Sequence, residues 1–542
     1  MSNLSNQQIN QSFQGLLQVP GGITSTLQTV QDGSGNPTGL QLSSAGASVA
    51  TSSTFVASKD GTQITGSQPR LISDGFGDFL SVKDFGAVGN GVTDDLAAIQ
   101  AAINACPSGG AVYLPRGTYS VSSHITLTDG VALIGDSSFA SVLMWKSATW
   151  DGNGIIAENA TIIQNIKLLS DNYLANGNLI SVSAKNNVYV NKCDFLKYYN
   201  AVFVGSSPVS VNFKVADCAF YDPSVIAGGS AILLDNFSNA TIDSCLISGP
   251  SFPAAQPDSG IKINNGDTCF ISNTNITLHG SALYVTTLAS ANCYALTINN
   301  CLFDSAGQVS SGSYKSSAEF SPAGNVYNTT ISNSWFGLSS NKSGCSITPS
   351  GAGVVDGISF TGCQFVANAD AGFVAVGSNV KNWTITGGFS CGNTVYGYRA
   401  ASGTSNFSII GTVAGNIAGR GANGRGIVVD AAASNNYLIA DNNVVGNTVA
   451  NLIDNGTGAN ARVTNNIGYN GDSALTGLTV GASPWTYTAG HTPETIYIGG
   501  GTISSILVDG QNVLTQTNIS LAPNESLVLT YTVTPTVLRK KM

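Results

Sequence analysis

From residue 136 to residue 466 the chain keeps returning to one short phrase: an apolar residue, two small polar ones, a Cys or Asn, and apolar residues again. It reads Val190-Asn-Lys-Cys193-Asp-Phe195, Val215-Ala-Asp-Cys218-Ala-Phe220, Ile242-Asp-Ser-Cys245-Leu-Ile247, Ile298-Asn-Asn-Cys301-Leu-Phe303 and Phe360-Thr-Gly-Cys363-Gln-Phe365. Weaker copies centre on Ile166, Thr274, Ser334, Gly388, Thr412, Asn442 and Asn466, at intervals of 24 to 33 residues. Strand-like alternation at that period, ended by Asn and Gly turns, predicts coils stacked into a β-solenoid. Helical repeats need apolar residues at i, i+3 and i+4, and these coils have none.

The composition agrees. Only 9% of residues are charged and Glu occurs four times, as suits an extended β protein with many tight turns. A net charge of −9 argues against a nucleic-acid-binding face, which needs clustered Lys and Arg. No run of 18 apolar residues exists, so no membrane insertion is expected. The segment Met1-Ser-Asn-Leu-Ser-Asn-Gln-Gln lacks the basic and apolar regions of a signal peptide, and assembly in the cytoplasm is the expectation. Cys193, Cys218, Cys245, Cys301 and Cys363 share one place in their coils and should stack along one interior line. Parallel side chains at that spacing bridge poorly, so free buried thiols are expected. No Cys/His spacing fits a zinc site, and neither a metal nor a cofactor is indicated.

Three regions follow. Residues 1–80 are polar, with an apolar cluster at Leu16, Leu17 and Val19 and a strand-like stretch from Ile23 to Gly33. They read as an extended attachment region or a disordered leader. Residues 81–472 hold the solenoid. They open with Val82-Lys-Asp-Phe-Gly-Ala-Val-Gly-Asn-Gly-Val-Thr-Asp94-Asp95, then Leu96-Ala-Ala-Ile99-Gln-Ala-Ala102-Ile103, whose spacing is helical with Thr93 or Asp94 as N-cap. One short helix here would lid the open end of the stack. Residues 473–542 break the rhythm into six short strands with hairpin signals at Asp509-Gly510 and Pro523-Asn524, implying a β-sandwich.

Residues 82–121 resemble the opening segment of the pectate-lyase-like superfamily, with Asn90 where Asp is usual. That resemblance implies an all-β, right-handed parallel β-helix (pectate-lyase-like) with an N-terminal capping helix, and it is shared by phage tailspikes and polysaccharide hydrolases and lyases. The first and last regions resemble tail-fibre leaders and tips. The three together resemble a phage tailspike, which implies a homotrimer, a virion-tail location, docking on another tail or baseplate protein through residues 1–80, and a bacterial surface polysaccharide as receptor. The alternatives are a non-enzymatic adhesin and a structural shaft.

A second phrase, small–apolar–variable–apolar, recurs between the first. Alternation points its variable residue outward. The expected ladder is Phe203, Leu233, Lys262, Tyr284, Glu319, Thr348, Val374 and Arg399. Lys262, Tyr284 and Glu319 would span ~10 Å on successive coils. An aromatic ring between an acid and a base suits a sugar strip, with Lys262, Tyr284 and Arg399 as glycan-binding candidates. It equally suits a solvated or intersubunit face. Hydrolysis needs two carboxylates, and Glu319 with Asp258 or Asp304 are the catalytic candidates; Asp267 lies in a nearby turn. For β-elimination Lys262 or Tyr284 could serve as base. Polygalacturonase-like motifs are absent, and Gly135-Asp-Ser137 and Gly471-Asp-Ser473 read as turns rather than esterase nucleophiles.

Overall fold

A computed structural model describes residues 79–541 apart from 251–256, 305, 308–314, 432–435, 459 and 470–474, together with short strands between Gln28 and Leu71. Leu16, Leu17 and Val19 lie outside the described residues. The stretch from Ile23 to Gly33 yields one described strand, Gln28–Gln31, paired antiparallel with Pro37–Ser43.

From Phe79 onward the chain winds into a parallel β-helix. All but the terminal coils contribute a strand to each of three faces, and every strand pairing between coils is parallel. The first face runs from Phe79–Ser81 through Ala111–Leu114 and Asn292–Asn299 to Asn460–Thr464. The second is a sheet of 13 strands from Asn90–Asp94 to Val413–Ala414. The third runs from Ile125–Thr126 through Ser281–Val285 and Ala318–Phe320 to Ala450–Asp454. Inward residues of all three faces form one continuous core. Because coils stack in register, like side chains stack too: Phe303, Phe336 and Phe365 lie ring on ring at 5.2 and 5.1 Å, and Trp383, Phe407 and Tyr437 at 4.4 and 5.0 Å.

The repeated Cys marks the corner between the first and second faces. Cys193 N–H points at the Cys218 sulfur (3.5 Å), Cys245 N–H donates to Thr274 Oγ1 (3.4 Å) and Cys301 N–H to Ser334 Oγ (3.1 Å). The line therefore continues through Thr and Ser where Cys is missing, and ends in a buried amide stack, Thr412–Asn442–Asn466. All ten cysteines are buried and free, and burial raises the thiol pKa of Cys245, Cys301 and Cys363. A second amide stack, Asn368–Asn393–Asn423–Asn447, runs along the corner between the second and third faces.

Both described ends of the stack are covered. The helix Leu96–Ala105 buries Ile99, Ala102 and Ile103 against the first coil. Gln100 clasps Thr126 with both ends of its amide, donating to its carbonyl at 2.9 Å and accepting from its N–H at 3.0 Å. That mimics one rung of a strand at an otherwise open edge. The helix starts later than the sequence suggests, with Asp95 at the N-cap. The Asp95 carboxylate instead accepts Val88 N–H (2.7 Å) and Gly89 N–H (3.0 Å), holding the preceding turn, while Asp94 receives Leu96 N–H at 3.2 Å. Asn90 takes the Val92 and Thr93 N–H groups, both at 2.9 Å.

The C-terminal residues form two four-stranded antiparallel sheets with their own core of Ile496, Ile506, Leu527 and Leu529 among others. Two of its strands were not legible. Thr536–Lys541, beyond the six strands expected, lies inside one sheet, between Thr476–Leu478 and Glu494–Gly499. Gln511–Asn512 closes the two-residue turn at Asp509-Gly510, both residues having positive φ as a hairpin of this kind requires. Pro523-Asn524 is a turn but not a hairpin: Asn518–Leu521 and Ser526–Val533 belong to different sheets. At the junction with the last coils, His491 C=O accepts Val463 N–H (2.6 Å) and Asn524 donates to Ala461 C=O (2.7 Å).

Candidate functional site

The third face carries the outward ladder. Register pairs Phe203 with Leu233, Leu233 with Lys262, Lys262 with Tyr284 and Tyr284 with Glu319. The next rung is Ser346, not Thr348, followed by Val374 and Arg399. The strand stops at Ile347 because Pro349 has no N–H to give the ladder, which moves the outward position two residues back.

Lys262, Tyr284 and Glu319 therefore lie on successive coils, and Asp258, at the entrance to the Lys262 strand, joins them. Asp258 pairs with Lys262 Nζ at 3.6 Å and with Lys315 Nζ at 2.7 Å. Lys315 comes from the turn before Glu319 and had no place in the sequence reading. Its ammonium sits 3.6 Å from the centre of the Tyr284 ring, with Lys262 at 5.6 Å. The Tyr284 ring thus has a cation against it rather than an open face for sugar stacking. The signal that could have exposed Lys315 is the 33-residue interval between Cys301 and Ser334, the longest in the series, with one Lys inside it.

Glu319 is largely buried beside this group. Burial pushes its carboxyl above the ordinary glutamate value. The Ser316 N–H, which donates to it at 3.2 Å, pulls the other way, as do the Lys315 and Lys342 charges; the Asp258 charge adds to the rise. Burial likewise raises the Tyr284 phenol. The arrangement holds one carboxyl with enhanced proton affinity and one carboxylate neutralised by two ammonium groups, which is an acid and a charged partner side by side.

Two other candidates stand elsewhere. Asp304 is on the second face, in register with Thr277 and Gly337. Arg399 lies three rungs beyond Glu319, ~14 Å along the stack, in its own group: it pairs with Asp430 at 2.8 Å and stacks 4.8 Å from the Tyr396 ring, which Arg425 also approaches. His279 is fully buried, its Nδ1 against Thr277 C=O and its pKa lowered to about 4 by burial; it belongs to the core. Among the described residues no group of His, Cys, Asp and Glu could hold a metal ion, and no helix is long and apolar enough to cross a membrane.

With the coils and this cluster in view, known proteins fall into place. Residues 79–309 match the family described as rhamnogalacturonase A/epimerase, pectate lyase-like, so this stretch is a pectate-lyase-like domain. The pre-neck appendage protein of Bacillus phage phi29 is 25% identical over 225 residues, which are 40% of this chain and 23% of that protein. The matched region thus spans about a quarter of that relative's length. Among solved structures, a tailspike protein of E. coli bacteriophage HK620 in complex with a pentasaccharide superposes with a TM-score of 0.54 at 14% identity, covering 91% of this chain and 98% of that one. Tailspike protein 3 of bacteriophage CBA120 gives 0.51 at 15%, covering 81% and 70%. The fold is that of these tailspikes.

Proposed function

We propose that the chain is a receptor-binding tailspike or tail-fibre protein of a phage virion that binds a bacterial surface polysaccharide along its third face and cleaves it at the Glu319 cluster. The phi29 relative and the shared tailspike fold support the virion-tail setting. One observation carries the chemistry: a buried carboxyl with raised proton affinity stands within one group of outward residues beside a second, ion-paired carboxylate. In this reading Glu319 donates a proton to the glycosidic oxygen as the glycosidic C–O bond breaks, while a water held by Asp258 attacks the anomeric carbon and gives its proton to that carboxylate. Lys262 and Lys315 hold Asp258 in place and offer donors to sugar hydroxyls. Residues 1–80 serve as the virion-attachment region, 81–472 as the shaft and 473–542 as the tip, with three copies per spike and another tail or baseplate protein as the mount.

The competing reading, an adhesin that holds the polymer intact, draws on the same pair: two lysines already occupy Asp258, and Lys315 already occupies the Tyr284 ring. The deciding experiment incubates full-length protein with purified surface polysaccharide of the host and follows polymer size, reducing ends and absorbance of unsaturated uronates. Wild type should release reducing ends without unsaturation, and Glu319→Gln should lower the rate by roughly 100-fold or more while retaining the polymer. Retention of intact polymer by wild type would establish the adhesin. Unsaturated products would replace hydrolysis with elimination.

A further inference from the structure

The first face carries a second outward ladder that the cluster does not use. Ser238, Asp267, Tyr294, Tyr327, Asp356 and Lys381 occupy six successive coils. The Tyr294 and Tyr327 rings stack with centroids 5.4 Å apart and planes inclined by 19°. Coils repeat every ~4.8 Å, so rings stacked from coil to coil turn their faces along the solenoid axis rather than out to solvent. Tyr327 covers one face of Tyr294. On the other side the rung is Asp267, too short to cover a phenol, and beyond it Ser238. What remains is a cavity of about 370 Å³ bounded by Tyr294, Asp267, Asn236, Asn265 and Asn292. That is within the ~300–1,000 Å³ of ordinary ligand pockets. Tyr294 stays 41% exposed.

The groups around this space match one ligand class. The uncovered ring face suits the C–H face of a pyranose. Asp267 accepts hydrogen bonds, and the asparagine amides donate and accept, as sugar hydroxyls demand. Among the described residues no Lys or Arg borders the cavity, and Asp267 would repel a sugar carboxylate. We propose that the cavity is a second carbohydrate subsite, taking one neutral, hydroxyl-rich sugar of the polysaccharide. The inference rests on the polysaccharide-binding reading above and deepens it by adding a position and a charge class. Asp267 follows Lys262 by five residues, Tyr294 follows Tyr284 by ten and Tyr327 follows Glu319 by eight, so both sites occupy the same three coils on neighbouring faces. A branched polymer can engage both, its backbone at the cluster and its neutral branch at Tyr294.

The test measures binding of the full-length protein to immobilised bacterial O-antigens with neutral branches and to unbranched acidic capsular polymers. Tyr294→Ala should weaken binding to the neutral-branched polymers about ten-fold and leave acidic polymers unaffected, while Tyr294→Trp stays within about two-fold of wild type. Asp267→Ala removes hydroxyl acceptors without touching the ring stack and should cost several-fold on the same polymers. Unchanged unfolding midpoints for both variants exclude misfolding, and Asp267→Ala carries the test alone should Tyr294→Ala fail to fold. If wild type binds a neutral-branched polymer and both variants match it within two-fold, the subsite is refuted while polysaccharide binding stands. Binding confined to the acidic polymers refutes it equally. If wild type binds no polysaccharide of either class, the parent reading fails and this one with it.

Discussion

Removal of one buried amide, Asn393→Ala, should destabilise the β-helix far more than its size suggests. Asn393 is fully buried in the middle of its stack. Its amide nitrogen donates to Phe365 C=O (3.1 Å), Ser390 Oγ (2.9 Å) and Asn423 Oδ1 (2.8 Å), and its oxygen accepts Asn368 N–H (3.0 Å) and Asn368 Nδ2 (2.8 Å). Asn368 Nδ2 also donates to Phe336 C=O at 3.2 Å and survives the change. The Phe365 carbonyl and the Asn368 N–H lose this partner in a space that alanine leaves empty, while the Asn423 oxygen keeps the Asn393 backbone N–H at 3.2 Å. At roughly 1–2 kcal/mol for each buried group so exposed, the loss is about 3 kcal/mol. The assay is guanidinium unfolding of the full-length protein, read as midpoint and as unfolding rate, because stacked coils need not unfold in one step. Asn460→Ala is the control: its amide donates to Asn436 Oδ1 at 2.9 Å on the exposed surface, where water replaces it at a cost of roughly 0.5 kcal/mol or less. Asn393→Asp should be at least as damaging at neutral pH, since it buries a charge and removes the donors, and acid should relieve it in part by restoring one O–H. If Asn393→Ala shifts the midpoint no further than Asn460→Ala, the stacked amides are not what fixes this corner.

Two further outcomes concern the C-terminal sheets and their junction with the last coils. His491 Nδ1 lies 2.7 Å from Asp454 and 2.9 Å from Tyr437 Oη, and the Asp454 hydrogen bond raises the imidazole pKa despite partial burial. A raised folded value means that this stabilisation is complete below the unfolded histidine value of ~6.5 and fades as pH climbs through the folded one. The wild-type unfolding midpoint should therefore fall more between about pH 5.5 and pH 9 than that of His491→Gln; parallel pH profiles would refute the linkage. Gly510 sits at φ +76° with open space where a Cβ would go, so Gly510→Ala should cost about 1 kcal/mol of backbone strain alone, seen as a lower midpoint for unfolding of the C-terminal sheets with the β-helix transition unmoved.

What the sequence made legible was whatever repeats. The Cys193–Cys363 line could be placed because small residues at one corner recur with the coil, and Thr274 and Ser334 keep the position when Cys does not. The rungs Lys262, Tyr284 and Glu319 followed from alternation alone. The error at Thr348 came from taking Ser346-Ile347-Thr348-Pro349 as the copy of the phrase, when the copy in register is Gly344-Cys345-Ser346-Ile347. Lys315 was hidden for a different reason: it reaches Asp258 across 57 residues from a turn that obeys no repeat. Thr536–Lys541 was hidden by composition, since Val537 faces the sandwich core while Arg539, Lys540 and Lys541 read as solvated. Asn442 and Asn466 could be placed on the Cys line, but the Asn368–Asn393–Asn423–Asn447 stack went unseen because Asn also recurs at exposed turns such as Asn212, Asn300 and Asn406, and nothing in one copy separates a buried Asn from an exposed one.

The two amide stacks have a consequence for length. Each Asn hands its hydrogen bonds to the same atom one coil away, so any coil is a valid neighbour for any other that carries Asn or its stand-in at the corner. Excising a whole coil, for instance from just after Asn393 through Asn423, rejoins like to like and shortens the rod by ~4.8 Å. Removing a single residue from within a strand instead turns that strand's inward side chains outward. The rod can thus be lengthened or trimmed in whole turns, as a ruler marked in coils, while its two closed ends stay as they are.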